Sequence, residues 1–97
     1  MKNLKDITEE EVKEICNLVN EPFLDFMVNN DGKWDSLGLE VSITTTSTMN
    51  KNSHDSNINI FKNGTITLSR NNGDWNGFKY HPINSYVIIN FLKNNGY

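Results

Sequence analysis

The chain has 97 residues, 36% of them hydrophobic and 10% aromatic, and a formal net charge of −3. That length holds one domain with one core, and the apolar content favours folding over disorder. No stretch nears the roughly 20 apolar residues that span a bilayer, the opening "MKNLKDITEEEVKEI" has no apolar signal-peptide segment, and one cysteine makes no internal disulfide, so a cytoplasmic location and no membrane partner are expected.

The charge is unevenly placed. Residues 1–40 carry ten acids against four lysines, whereas residues 41–97 carry two acids against five basic side chains. An acidic first half is read as a solvated helix face or as an electrostatic docking face. Arg70 is the only arginine, which argues against a general nucleic-acid binder, since that needs a basic patch to neutralise phosphates. Asparagine is frequent and alanine absent, the composition of an AT-rich genome.

In "ITEEEVKE", Thr8 is expected to cap a helix and Glu11, three residues on, to complete a capping box. Ile7 and Val12 supply a hydrophobic staple across the cap, and Glu9, Glu10 and Glu11 suit the positive end of the helix dipole. Val12, Ile15, Cys16 and Val19 make one apolar stripe. Pro22 is expected to end this helix, residues 8–20, near Asn20. Cys16 sits on the stripe, so it reads as a buried thiol and not as a nucleophile, which needs exposure and a cationic neighbour.

Phe23, Leu24, Phe26, Met27 and Val28 fit either a turn that extends the helical layer or a short strand. Asn29–Gly32 reads as a loop. "DGKWD" carries Asp31 and Asp35 but lacks the other ligands of a calcium loop. From Leu37 the period changes to two: Leu39, Val41 and Ile43 alternate with Glu40, Ser42 and Thr44 as a half-buried strand, and "TTTST" keeps the β-propensity. "MNKNSHDSN" is a polar connection in which His54 reads as a surface histidine and not a metal ligand.

"SNINIFKNGTITLSR" is a hairpin, and its register follows from burial. A two-residue loop at Asn63-Gly64 would split the apolar residues between two faces. A three-residue loop, Lys62-Asn63-Gly64, sets Ile60 opposite Ile66 and Ile58 opposite Leu68, with all four on one face and Gly64 in the left-handed position of a G1 bulge. The "NGT" sequon is then only a turn. Next, "NNGDWNGFKYHP" reads as a tight Asn76-Gly77 turn flanked by Trp75 and Phe78, with Phe78 and Tyr80 on one face of a short edge strand. These rings either cover the sheet edge or leave Trp75 or Tyr80 exposed as an interface anchor.

The C-terminal "HPINSYVIINFLKNNGY" reads as a second helix. Pro82 suits its first position with His81 as cap, or Asn84 restarts the cap one turn later. Ile83, Val87, Ile88, Phe91 and Leu92 form a broad apolar face, Lys93 suits the last turn and Gly96 the C-cap, with Tyr97 folding back on the helix end. The expected fold is a two-layer α+β domain of order αβββα. Its antiparallel meander has three strands, or four with the Phe78–Tyr80 segment, and packs against an N-terminal and a C-terminal helix.

No phosphate loop, nucleophile elbow or metal-ligand spacing is present, so no catalytic residue, metal or cofactor is expected. The ends "ITEEEVKEICNLV" and "INSYVIINFLKNNGY" resemble small uncharacterised proteins of Bacteroidetes-type bacteria and their phages. The resemblance implies a non-enzymatic inhibitor that binds a host defence protein, as an anti-CRISPR does. The leading expectation is therefore a protein-binding module, with Trp75, Phe78, Lys79 and Tyr80 as the partner-binding surface and the acidic face of Glu10, Glu14 and Glu21 as the rival. A nucleotide or sugar binder acting as a homo-oligomer, and a weak nucleic-acid binder using Lys62, Arg70 and Lys79, stay open as alternatives.

Overall fold

A computed structural model describes residues 1–30, 36, 38–46, 55–71, 78–81 and 85–97, without the side chains of residues 55, 70, 71 and 78–81. A 3₁₀ turn, Leu4–Asp6, leads into helix α1, Glu9–Leu18. Among the described residues five strands follow: β1 Met27–Asn29, β2 Leu39–Thr46, β3 Asp55–Phe61, β4 Ile66–Asn71 and β5 Phe78–His81. Helix α2, Ser85–Asn94, comes last. The strands form one antiparallel sheet in the order β1-β2-β3-β4-β5. The fold is thus α+β with a helix near each end, and the three-stranded centre gains one short strand at each edge.

Helix α1 starts where its capping chemistry dictates. Glu11 N–H donates to Thr8 Oγ1 at 3.2 Å, and Thr8 N–H donates to Glu11 Oε1 at 3.0 Å. The helix ends by a left-handed residue, not by the proline alone. Asn20 has φ 57°, Asn20 N–H donates to Asn17 O, and Glu21 N–H donates to Cys16 O at 2.9 Å, the paired bonds of a Schellman motif. Helix α2 ends the same way, with Gly96 at φ 88° and Tyr97 N–H donating to Leu92 O. Its described residues begin at Ser85, and His81 is the last residue of β5 and not a helix cap. Residues 82–84 lie outside the described residues.

The hairpin has the register that burial requires. Ile58 stands opposite Leu68 and Ile60 opposite Ile66. Gly64 N–H donates to Phe61 O and Phe61 N–H donates to Thr65 O, which closes the three-residue loop with Gly64 at φ 86°. Val41 and Ile43 extend the same face, and both helices cover it. Val12, Ile15 and Cys16 of α1 and Ile88 and Leu92 of α2 share one core with the six buried hydrophobic residues of the sheet. Each such side chain contributes about 1.5–3 kcal/mol of gross burial.

Strand β2 is bulged twice. Glu40 is an extra residue between the pairs Leu39–Phe61 and Val41–Ile60, and Thr45 is an extra residue between Thr44–Asn57 and Thr46–Ser56. The first bulge breaks the inward alternation, so Leu39 is only half-buried while Val41 is buried. The second turns the Thr45 carbonyl towards the chain before β1, where it accepts from both Leu24 N–H and Asp25 N–H at 2.8 and 2.9 Å. That pair of bonds brings the segment after Pro22 alongside β2 and makes Met27–Asn29 a strand.

The sheet face away from the helices is a polar ladder. Asn29 Nδ2 donates to Thr44 Oγ1, which donates to Asn57 Oδ1 at 2.7 Å. Ser42 Oγ donates to Asn59 Oδ1 at 2.9 Å, and Asn59 Nδ2 donates to Thr67 and Ser69. Four strands are therefore cross-linked by side chains on one face and by aliphatic packing on the other.

Candidate functional site

Helix α1 turns one side to the core and another to solvent. Glu10, Glu14 and Leu18 recur every four residues, so they form one outward stripe. All three are exposed, and Leu18 keeps 49% of its surface. Glu10 Oε1 lies 3.5 Å from Lys13 Nζ, an exposed pair of little energetic weight. Glu21 departs from the expected face. It follows the Schellman turn, is half-buried, and its charge adds to the rise of the Cys16 thiol. Burial is the main cause of that rise, which takes Cys16 to about 11. With 1% of its surface exposed, Cys16 is a core residue, as its place on the apolar stripe leads one to expect.

The chain from α1 to β1 mixes half-buried and exposed residues. Phe23, Phe26 and Val28 pack against the core, and Lys13 Nζ sits 5.5 Å above the Phe23 ring. Leu24 and Met27 point away from it, 74% and 54% exposed. Elsewhere among the described residues the large exposed hydrophobics are Met1 and Tyr86. Strand β1 is the first strand of the sheet, so its outer side pairs with no described strand. An acidic stripe, three apolar side chains and an open strand edge thus belong to one continuous run of chain, residues 10–29.

The expected aromatic surface falls largely outside the description. Trp75 lies outside the described residues. Phe78, Lys79 and Tyr80 form β5, where the backbone register sets them opposite Asn71, Arg70 and Ser69. His54, Asp31 and Asp35 also lie outside the described residues. Among the described residues no group of three or more His, Cys, Asp or Glu side chains is placed to hold a metal ion, and no described helix is long and apolar enough to cross a membrane.

A cluster with the marks of a perturbed site lies at the other end of α1, and it is structural. Glu11 Oε1 accepts from Tyr97 Oη at 2.6 Å, from Thr8 N–H and from the Thr8 hydroxyl. Glu11 Oε2 lies 3.8 Å from Lys2 Nζ, which also stands 5.2 Å over the Tyr97 ring. Lys2 N–H donates to Gly96 O at 2.8 Å. Burial alone pushes the Glu11 carboxyl up, but the Tyr97 and Thr8 hydrogen bonds and the Lys2 charge together hold it below its ordinary value. Burial, with the bond to Glu11 and the charges of Glu11 and Asp6, pushes Tyr97 up to about 12. Glu11 was legible as a cap, but its bond to a residue 86 positions away was not. No protein-family model, no curated protein and no solved structure matches the chain.

Proposed function

We propose that the chain is a non-catalytic protein-binding module that docks a basic partner on its α1–β1 side. The observation that carries this reading is the exposure of Leu18 at the end of the acidic stripe of Glu10 and Glu14, with Leu24 and Met27 exposed on the run of chain that follows. Exposed apolar side chains and exposed charge are the composition of an interface core with its rim. The outer side of β1, which pairs with no described strand, offers backbone groups to an added strand. The acidic stripe selects a partner with lysines or arginines around an apolar anchor. A cytoplasmic phage-type inhibitor of a host defence protein fits this reading, because such a protein needs a docking face and no catalytic centre.

The test compares capture of a partner by wild type, Leu24→Asp and the pair Glu10→Lys/Glu14→Lys, using lysate of the cells that carry the gene. Affinity is then measured with the purified partner. Leu24→Asp is expected to weaken binding by about 2 kcal/mol or more with the fold intact. The charge reversals are expected to slow association, and added salt to slow it in wild type. A partner held equally well by Leu24→Asp, but lost on Trp75→Ala or Tyr80→Ala, moves the interface to the β4–β5 side and sinks the proposed surface.

A further inference from the structure

At the end of the sheet that carries the β3–β4 turn, Asn3, Leu4, Lys5, Asn30, Glu40 and Lys62 line an open cleft of about 290 Å³. That is just below the usual range for small-molecule sites, about 300–1,000 Å³, and it suits a molecule the size of an amino acid. Four chain segments build it, and backbone bonds fix three of them. The 3₁₀ turn is closed by Asp6 N–H donating to Asn3 O and Ile7 N–H donating to Leu4 O. Lys62 N–H donates to Gly38 O at 2.8 Å, which ties the hairpin turn to the start of β2. Glu40 is the extra residue of the first β2 bulge, a device that re-aims a side chain out of the regular alternation.

The charges of the cleft are complementary to one kind of ligand. The residues that line it carry two ammonium groups, one carboxylate and two carboxamides. Among the described residues the ion pairs are Lys2–Glu11 and Lys13–Glu10, and neither lies in the cleft. Lys5, Lys62 and Glu40 thus share a cleft of net charge +1 without pairing with one another. We propose that the cleft binds a free acidic amino acid, glutamate or aspartate. The ligand's two carboxylates meet Lys5 and Lys62, its ammonium meets Glu40, and Asn3 and Asn30 supply neutral hydrogen bonds. The ligand's charge of −1 then cancels that of the cleft. The cleft shares no residue with the α1–β1 docking face, and the inference does not depend on that reading. Because the lysines are exposed, each contact is modest and the dissociation constant falls in the range of about 1 mM.

The test is a titration followed by backbone amide NMR, with L-glutamate, L-aspartate and glutarate, which lacks the ammonium. Glutamate or aspartate is expected to shift the amides of Lys5, Asn30, Glu40 and Lys62. Lys62→Gln and Lys5→Gln are each expected to weaken that binding about threefold or more. Glu40→Gln weakens the amino acids and spares glutarate. All three positions are exposed, so the variants are expected to fold, and thermal melting checks that they do. Absence of shifts at these amides, binding unchanged by Lys62→Gln, or glutarate binding wild type as tightly as glutamate would each overturn the proposal.

Discussion

The two ends of helix α1 put the same kinds of residue to opposite uses. At its start, Glu11 is enclosed by Thr8, Tyr97 and Lys2, and both of its oxygens have partners. At its finish, Glu14 and Leu18 face solvent, and the chain goes on to expose Leu24 and Met27. A carboxylate whose hydrogen-bonding capacity is used inside the fold contributes stability and has little left to offer a partner. A carboxylate and apolar groups left outside contribute little to folding and remain available for binding. On the proposed reading, one ten-residue helix divides the two tasks between its enclosed and its exposed side chains.

The largest effect that would sharpen this contrast is at Glu11. Glu11→Ala removes half of the capping box and the acceptor of Tyr97, and is expected to cost about 2 kcal/mol of unfolding free energy in urea melts. Tyr97→Phe is expected to cost about 1 kcal/mol and to change the pH profile. Tyr97 is raised in the folded state, so its contribution is whole below its ordinary value of 10.0 and is lost as pH climbs towards about 12. The variant should lose less stability across that window, with a remaining loss from Cys16, which is also raised. Glu11 is lowered, so its contribution is present above its ordinary value of 4.5 and is lost as pH falls below it; Glu11→Gln should flatten that acid limb. At the other end, Leu24→Ser and Met27→Ser are expected to stay within about 0.5 kcal/mol of wild type. A loss at Leu24 equal to that at Glu11 would break the comparison and return the segment to the core.

Local chemistry made much of this legible. Thr8 and Glu11 stand at the spacing of a capping box, and the register of Ile58, Ile60, Ile66 and Leu68 follows from the demand that one face be buried. What could not be read depends on contacts between distant parts of the chain. Residues 23–28 were ambiguous because the strand there is three residues long and is drawn in by the bulged Thr45 carbonyl. Pro22 suggested where α1 stops, but the stop is Asn20 in a left-handed conformation. The candidate docking face was half-visible. Its acids stand out in composition, whereas Leu24 and Met27 look like core residues in any sequence, and only the fold separates them from Phe23 and Phe26.

The polar ladder on the open face has a consequence for how the strands find their places. A slip of one residue between β2 and β3 would carry Asn57 and Asn59 into the helical layer, and the aliphatic face forbids that. A slip of two residues is a subtler error, since it returns isoleucine to the inside. One such slip would bring Ser42 against Phe61 and leave its hydroxyl without the Asn59 carbonyl it now reaches. The two faces therefore act as two different proofreading marks: the aliphatic face rejects odd displacements, and the ladder also marks the even displacement that sets Ser42 against Phe61.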